Sequence, residues 1–463
     1  MRRGIVAFVA LALASPTARS AEPPLTFDVS YVAGTRDATG HVMGGTEIRN
    51  LVVHDGRLFA ANGFWKDPPG VGGSAGAQIL VLDAAAAPWR IDHEFGELLP
   101  GGRRRHLAIS ALSEITFHTD SKGASLSRPV PVLLASSWDV TGRRTVFARN
   151  DRTGEWSGAV LAEDKPSPGF LPQIRSFGFH RDRSTGVDLA FAGDTRGIFG
   201  GSYDPDLPAH VRWMSIPELT TDGLGTDGFP GLSGRLRISS FAEARGRLFA
   251  AIGQQLWVRQ DGTAPRWQPF YTNPSPHYSQ TGLRGLTTLS ESGKDEFLVA
   301  AVEGNESRIV RIDPTTGAET TDLNLSGLLD TAWDTRVSYV IAAYNDMAKV
   351  VDLLEGNCLM IGLEAFIPPN APRPPGHTVL DVVHGLEAGA WFLIRRPGGR
   401  YELRQVTAQF PIIGRNLVAV RSIVPSPFPG ERGAIYVGGY DANDTPAHDT
   451  AWIARGFPDR GVR

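Results

Sequence analysis

A four-residue pattern that recurs along the chain constrains its fold more than any other feature of the sequence. The pattern is an aliphatic residue, then Arg or Ser, then in most copies a small residue, then an apolar residue. Seven copies begin at Ile48, Ile109, Ile174, Ile238, Leu283, Val337 and Val420. A repeat of this length predicts similar structural units placed side by side.

Each copy of the pattern is followed by signs of further strands. The next strand ends in small residues, and residues 56–61 and 246–251 share the letters Gly-Arg-Leu-Phe-Ala-Ala. A third strand follows in several units, then a turn with Gly, and then a fourth strand that often carries Trp, as at Trp89, Trp156 and Trp267. Each unit is therefore predicted to be four short antiparallel strands.

Seven such units resemble the blades of the seven-bladed β-propeller superfamily, with no motif of a particular enzyme family. The resemblance implies an all-β fold and one propeller domain over residues 21–463, with blades starting near 48, 109, 174, 238, 283, 337 and 420. We expect no amphipathic helix. The last unit runs out after its third strand, so residues 25–33 are predicted to supply the missing fourth strand and close the ring.

The first twenty residues predict export. A basic start at Arg2 and Arg3 precedes a short apolar run over 5–14 and the small residues Ala18 and Ser20. This is typical of a signal peptide over residues 1–20, and it predicts a periplasmic or secreted protein. No later stretch holds eighteen consecutive apolar residues, so we expect no membrane span. The net charge of −3 argues against a nucleic-acid partner.

The repeated Arg position supplies the candidate site. In propellers that the chain resembles, the first strand of each blade lines the central channel, which implies that four arginines converge at one mouth: Arg49, Arg175, Arg284 and Arg421. Arg237 and Arg336 precede the Ser of two other copies by two residues, and a period of two places them on the same strand face. Acidic candidates end the second strands: Asp139, Asp194, Glu303, Glu364 and Asp441. The arginines and acids either form a structural ring of ion pairs or bind a carboxylate, sulfate or phosphate group.

Two loops extend the same predicted face. Trp65 lies in a long loop over 62–76, where an aromatic side chain suits stacking on a sugar or packing against the loop itself. Residues 441–449 carry many oxygen side chains that could hold Ca²⁺, but they lack the ligand spacing of a defined calcium site. We predict no metal ion and no cofactor. If a cation binds residues 441–449, Ca²⁺ is the candidate.

These observations predict an exported, monomeric propeller that binds an anionic small molecule, an acidic glycan or a protein. The alternative is a hydrolase or lyase that acts on an acidic sugar or lactone at the same arginines. An enzyme would need an acid–base pair or a metal beside the arginines, and the sequence shows neither. Whether the chain is an enzyme is therefore left open.

Overall fold

The computed structural model describes residues 25–64, 76–165, 172–220, 237–274, 282–291, 295–351, 358–368, 389–407, 417–440 and 449–458. The predicted signal peptide over residues 1–20 lies outside these ranges. No helix within them is long and apolar enough to cross a membrane.

Most of the described chain forms short antiparallel strands, named here in chain order by blade. The first strand is β1 (Leu25–Val32), followed by a small hairpin of β2 (Thr35–Arg36) and β3 (Val42–Met43). Blade 1 is β4 (Glu47–His54), β5 (Arg57–Gly63), β6 (Gln78–Leu82) and β7 (Arg90–Glu94), and a second small hairpin is β8 (Leu98–Leu99) and β9 (Arg103–Arg104). Blade 2 is β10 (His106–Thr119), β11 (Ser125–Asp139), β12 (Arg143–Arg149) and β13 (Trp156–Glu163). Blade 3 is β14 (Ile174–Arg181), β15 (Asp188–Asp194), β16 (Gly197–Tyr203), β17 (Val211–Trp213) and the short β18 (Leu219–Thr220).

The second half of the chain continues in the same way. Blade 4 is β19 (Ile238–Ala244), β20 (Arg247–Ile252), β21 (Gln255–Gln260) and β22 (Arg266–Thr272). Blade 5 is β23 (Leu283–Leu289), β24 (Phe297–Val302), β25 (Arg308–Ile312) and β26 (Glu319–Asn324), and the helix α1 (Leu325–Trp333) follows it. Blade 6 is β27 (Tyr339–Ala342), β28 (Ala348–Val350), β29 (Cys358–Phe366), β30 (Trp391–Arg395) and β31 (Tyr401–Gln405). Blade 7 is β32 (Ala419–Pro425), β33 (Ile435–Tyr440) and β34 (Ala451–Pro458), with β1 as its fourth strand.

The blades stand in a closed ring. First strands of neighbouring blades pack together from β4 to β10, β14, β19 and β23, and β32 of blade 7 packs on both β29 and β4. The predicted closure is confirmed, because β1 pairs antiparallel with β34 from Leu25 opposite Pro458 to Val32 opposite Trp452. The chain is a β-propeller, as its repeat predicts, and an edge of blade 7 is covered by the start of the described chain.

The expectation that the chain has no amphipathic helix is wrong. Helix α1 connects blades 5 and 6, and Leu325, Leu329 and Trp333 share its buried face at a spacing of four residues. The side chain of Asn324 accepts a hydrogen bond from the Gly327 N–H and so begins the helix, and Asp334 ends it in a left-handed conformation. Nine residues give too short a pattern to distinguish this helix from a strand in the sequence.

Buried groups of charged side chains, called locks here, join one blade to the next. The ring of His54, at the end of β4, is fully buried, and it lies 2.8 Å from the Glu114 carboxylate and 2.9 Å from that of Asp151, both in blade 2. Between blades 3 and 4, the ring of His180 makes the equivalent contacts, with the carboxylates of Glu243 and Asp261.

An arginine on a third strand bonds to a carboxylate of the preceding blade at three interfaces, two of which are those of His54 and His180. Arg149 of β12 donates two hydrogen bonds to Asp92 of blade 1, at 2.9 and 3.0 Å, and the Trp156 indole donates a third at 2.8 Å. Equivalent groups are Arg259, Glu218 and Trp267 between blades 3 and 4, and Arg395, Asp322 and Tyr401 between blades 5 and 6. Contacts of this kind join blade 1 to 2, 3 to 4 and 5 to 6, and a different buried pair, Arg144 with Asp194, joins blades 2 and 3.

Candidate functional site

The repeated Arg or Ser of the sequence pattern marks a β-bulge in the first strand of blades 1, 2, 3, 4 and 7, whereas in blade 5 Arg284 still pairs with Ala301 and the register shifts after it. In blade 1 the strand pairing runs through Ile48 and resumes at Asn50, so Arg49 has no partner on β5. The same skip occurs at Arg175 and Arg421, and at the serines Ser110 and Ser239. A bulge re-aims the extra side chain away from the ladder, which explains how the arginines leave their sheets.

Blade 6 departs from this arrangement. Its first strand is interrupted between β27 and β28, and residues 343–347 in this gap carry Tyr344 among the arginines. The predicted position for blade 6 is wrong: Arg336 is exposed, lies between α1 and β27, and does not join them. Because α1 occupies the connection, the strand begins only at Tyr339, two residues after the start of the sequence pattern at Val337.

Four arginines surround Tyr344. The guanidinium carbon of Arg421 lies 3.8 Å from the centre of the Tyr344 ring, and that of Arg284 lies 4.8 Å from it. Arg49 and Arg175 donate hydrogen bonds to the phenol oxygen at 3.2 and 3.3 Å. The predicted convergence of these four arginines is therefore observed, around a tyrosine that the sequence pattern gave no reason to select.

Buried carboxylates hold two of the four arginines. Glu47 lies 3.2 Å from the Arg49 guanidinium and 3.4 Å from that of Arg421, and Glu364 pairs with Arg421 at 2.5 Å. The hydroxyl of Tyr440 donates to Glu364. Although burial alone would lower the pKa of Arg421, Glu364 and the other anionic partners outweigh burial and raise it. This side of the cluster is a structural ion-pair network.

Arg284 is held in the same way. It pairs with Glu303, which also accepts a hydrogen bond from Tyr339, and it donates to the main-chain carbonyl of Tyr344 at 3.0 Å. Burial alone would lower the pKa of Arg284, but the Glu303 carboxylate outweighs it and raises the pKa. Of the acidic candidates, Glu303 and Glu364 thus belong to the cluster.

Other predicted acids pair elsewhere or lie outside the described chain. The Asp194 carboxylate is 2.7 Å from Arg144, and that of Asp139 is 2.8 Å from Arg105, so each has an arginine of its own outside the cluster. Burial raises the pKa of Asp194 to about 6. Trp65 and Asp441 lie outside the described residues.

Arg175 and Arg237 have a different environment. Neither forms an ion pair with a carboxylate of the residues that the structure describes. Burial lowers the pKa of Arg175, Tyr344 opposes this, and the guanidiniums of Arg237 and Arg49 add to it, so that the pKa falls to about 9. Burial also lowers the pKa of Arg237. The two side chains line one narrow cavity with Ser239, Arg284, Tyr344 and Asn345.

The phenol of Tyr344 responds to the same charges. Burial on its own would raise the pKa of this group, but the guanidiniums of Arg175 and Arg49 outweigh burial and bring the pKa down to about 7. The negative charge of Glu47 opposes them and leaves the shift smaller than it would otherwise be. Tyr344 is therefore a titratable group poised near neutral pH in the middle of the cluster.

The charges of the cluster do not cancel. Five arginines face three carboxylates, Glu47, Glu303 and Glu364, which leaves 5 − 3 = 2 positive charges in excess within the described part of the cluster. The excess lies on the side of Arg175 and Arg237. Such a site can attract an anion, since two guanidiniums in a low-dielectric environment repel each other unless negative charge approaches. No group of His, Cys, Asp and Glu residues in the described ranges could hold a metal ion.

The strand order defines a β-propeller, and the arginine cluster lies where the first strands of its blades meet. No protein-family model and no curated protein sequence matches the chain. Among solved structures, Sqt1 from Chaetomium thermophilum is 14% identical with a TM-score of 0.40, covering 90% of this chain and 85% of its own. The RRP9 WD40 repeats are 10% identical with a TM-score of 0.43, covering 94% and 99%. Raptor from Chaetomium thermophilum is 11% identical with a TM-score of 0.43, covering 94% of this chain and 30% of its own.

Proposed function

We propose that the chain is an anion-binding propeller and that Arg175 and Arg237 hold the anion. The observation that carries this proposal is that both guanidiniums line one cavity with no carboxylate of the described residues paired to either. The Arg175 guanidinium is buried and that of Arg237 is half-buried, and two like charges in such an environment raise the free energy of the native state. A bound anion would remove that cost, which makes the cavity selective for negative charge.

The size of the cavity limits what enters it. The space between Arg175, Arg237 and Tyr344 leaves no room for a water-sized sphere, so these side chains must move apart to admit a single charged group, and a chain of sugars does not fit. A carboxylate, sulfate or phosphate group matches the planar fork of a guanidinium and can accept two hydrogen bonds from it. The ligand class is therefore a small anion, or a larger acidic molecule such as a sugar acid that inserts its charged end.

The remaining arginines are held by carboxylates, although Arg284 also lines the cavity. Glu47, Glu303 and Glu364 neutralise Arg49, Arg284 and Arg421, so these three side chains are fixed before any ligand arrives. A site held in place by its neighbours binds with a smaller loss of side-chain freedom. Binding needs no group beyond those described, whereas a hydrolase or lyase would also need a proton donor or acceptor that reaches the bound ligand.

The experiment is a thermal-shift and calorimetric titration with sulfate, phosphate and glucuronate at neutral pH. Ionic strength is matched with sodium chloride, because salt alone screens the repulsion between surface charges. We expect a saturable rise in melting temperature for at least one of these anions, because a ligand of the native state stabilises it.

Three variants separate the site from general charge effects. Arg175→Gln and Arg237→Gln should abolish the saturable rise, and Arg103→Gln, which changes an exposed arginine of β9, should leave it intact. A wild-type protein that binds none of the three anions contradicts the proposal, and so does an Arg175→Gln variant that binds them as well as the wild type.

We also propose that residues 1–20 direct export and are removed. The proposal rests on the basic start, the apolar run over 5–14 and the small residues before position 21. N-terminal sequencing of protein recovered outside the cytoplasm should begin near Ala21. Exported material that still begins at Met1 would contradict a cleaved signal.

A further inference from the structure

We propose that Tyr344 competes with bound anions for the arginines of the channel mouth, so that the site releases its ligand when the phenol ionises. This inference rests on the proposed anion site and assigns its regulation to one residue. The phenol oxygen already accepts hydrogen bonds from Arg49 and Arg175, and Arg175 is one of the two guanidiniums that the ligand would use.

The position of Tyr344 lets its neutral phenol leave the site free and its phenolate block the site. Its ring lies against Arg421 and Arg284, so the side chain stays among the cations in either protonation state. As a neutral phenol it accepts from Arg49 and Arg175 but adds no negative charge, which leaves the excess positive charge for a ligand. As a phenolate it supplies a negative charge inside the same cavity, and a second anion beside it would be repelled.

Charged groups from the surrounding blades determine how readily the phenol of Tyr344 ionises. The cations that face Tyr344 are Arg49, Arg175, Arg237, Arg284 and Arg421. The opposing groups are Glu47 in blade 1, Glu303 in blade 5 and Glu364 in blade 6, with the hydroxyls of Tyr339 and Tyr440 bound to the last two. Cations outnumber carboxylates, and this favours ionisation of the phenol near neutral pH, where its pKa of about 7 lies.

A second acid in the same segment needs its own control. Asp346 follows Tyr344 by two residues and reaches solvent, and the surrounding protein raises the pKa of its carboxyl to about 6. It therefore ionises at lower pH than the phenol does. A variant of each residue is needed to assign a change in affinity to one of them.

The direction of the pH dependence follows from the competition. Below the pKa of the phenol the site is available, and above it the available fraction falls by about tenfold for each pH unit. Sulfate is the appropriate probe, because its charge stays constant over the range tested, whereas phosphate changes its own charge near neutral pH. The affinity for sulfate should fall by about fivefold from pH 7 to pH 8 in the wild-type protein, and by about tenfold for each further pH unit.

The test compares the wild type with Tyr344→Phe, which keeps the ring on Arg421 and removes the ionising hydroxyl. Calorimetric titration with sulfate from about pH 6 to about pH 8.5 gives the affinity, and ultraviolet difference absorbance between the two proteins gives the phenolate directly. We expect Tyr344→Phe to bind sulfate with little dependence on pH. Asp346→Asn should keep the wild-type fall above pH 7.

The outcomes distinguish this inference from the anion site itself. Sulfate affinity that is constant with pH in the wild type, whether or not a phenolate forms, overturns the competition and leaves the anion site standing. An equal fall with pH in Tyr344→Phe also overturns it. Failure of both proteins to bind sulfate at pH 6 overturns the anion site, and the competition with it, even if the absorbance shows a phenolate near pH 7.

Discussion

Gly285 lies so close to Ala343 that a Cβ added to the glycine would stand 2.3 Å from the Cβ of the alanine. Gly285 follows Arg284 in the bulge of blade 5, and Ala343 begins the segment of blade 6 that carries Tyr344. Both residues have a left-handed backbone, with φ of +59° and +51°. The absence of a side chain in blade 5 therefore gives the Tyr344 segment the space it needs.

Gly285→Ala should destabilise the protein and displace Tyr344. The strained backbone costs about 1–3 kcal/mol, and forcing a methyl group into the Ala343 contact adds about 1–3 kcal/mol. Gly56→Ala is the matched control, because Gly56 has a similar φ of +69° but open space around its Cβ position. Chemical unfolding of both variants should show a clearly larger loss for Gly285→Ala, and equal losses would contradict the contact.

Arg175→Gln and Arg284→Gln should change stability in opposite directions in the absence of ligand. Arg175 is buried without a carboxylate partner among the described residues, and its pKa is lowered to about 9, so its charge destabilises the native state at pH 7. Its replacement should raise the free energy of unfolding by about 1 kcal/mol or more. Replacing Arg284 removes an ion-pair partner of the buried Glu303 and should cost about 3–5 kcal/mol. Urea unfolding at low ionic strength measures both, and a loss of stability in both variants would contradict the assignment.

The His54 lock should make stability fall as the solution becomes alkaline. Burial alone would lower the pKa of His54, but hydrogen bonds to Asp151 and Glu114 outweigh it and raise the pKa to about 9. The folded-state pKa thus exceeds the unfolded value of about 6.5, so the stabilisation is fully present below pH 6.5 and is lost as pH rises to 9. Its size is about 2–3 kcal/mol. Unfolding free energies of wild type and His54→Gln should converge above pH 9, whereas the exposed control His41→Gln should follow the wild type at every pH.

Arg149→Met should weaken the interface between blades 1 and 2. The substitution leaves the Asp92 carboxylate, whose exposed fraction is 2%, without its two charged hydrogen bonds. Removing one partner of a buried pair costs about 3–5 kcal/mol. Arg143→Met on the same strand removes a solvent-exposed pair with Glu163 and should cost less than about 1 kcal/mol. Similar melting temperatures for the two variants would show that the hydrogen bonds between Arg149 and Asp92 do not stabilise the protein more than the exposed pair does.

The sequence pattern predicts the propeller because each blade repeats the same alternation of strand, turn and small residue. The closing strand could also be predicted from the sequence, because residues 25–33 alternate between apolar and polar side chains and the last unit lacks a fourth strand. Convergence of Arg49, Arg175, Arg284 and Arg421 followed from their common position in the repeat. A bulge at that position turns Arg49, Arg175 and Arg421 out of their sheets, whereas Arg284 reaches the cluster from a residue that still pairs with Ala301, just before the register shift of blade 5.

Blade 6 shows where the sequence was insufficient. A short helix shifts the start of β27, so Arg336 is exposed and Tyr344 reaches the place that the repeat assigns to another residue. The locks were missed for a different reason. His54 meets carboxylates 60 and 97 residues away, and pairings of that length depend on how the blades dock rather than on any local pattern.

The alternation of Arg and Ser at the bulges has the same period as the locks. Arg occupies blades 1, 3, 5 and 7, Ser occupies blades 2 and 4, and the locks join each of blades 1, 3 and 5 to the blade that follows it. In native-state amide hydrogen exchange we expect protection to change at the boundaries between these pairs, and least between blades 2 and 3, which the buried Arg144–Asp194 pair also joins. Blade 7 has no lock of this kind among the described residues and contacts its neighbours through Arg421, which pairs with Glu364 of blade 6 and Glu47 of blade 1, so its exchange would report the opening of the ring.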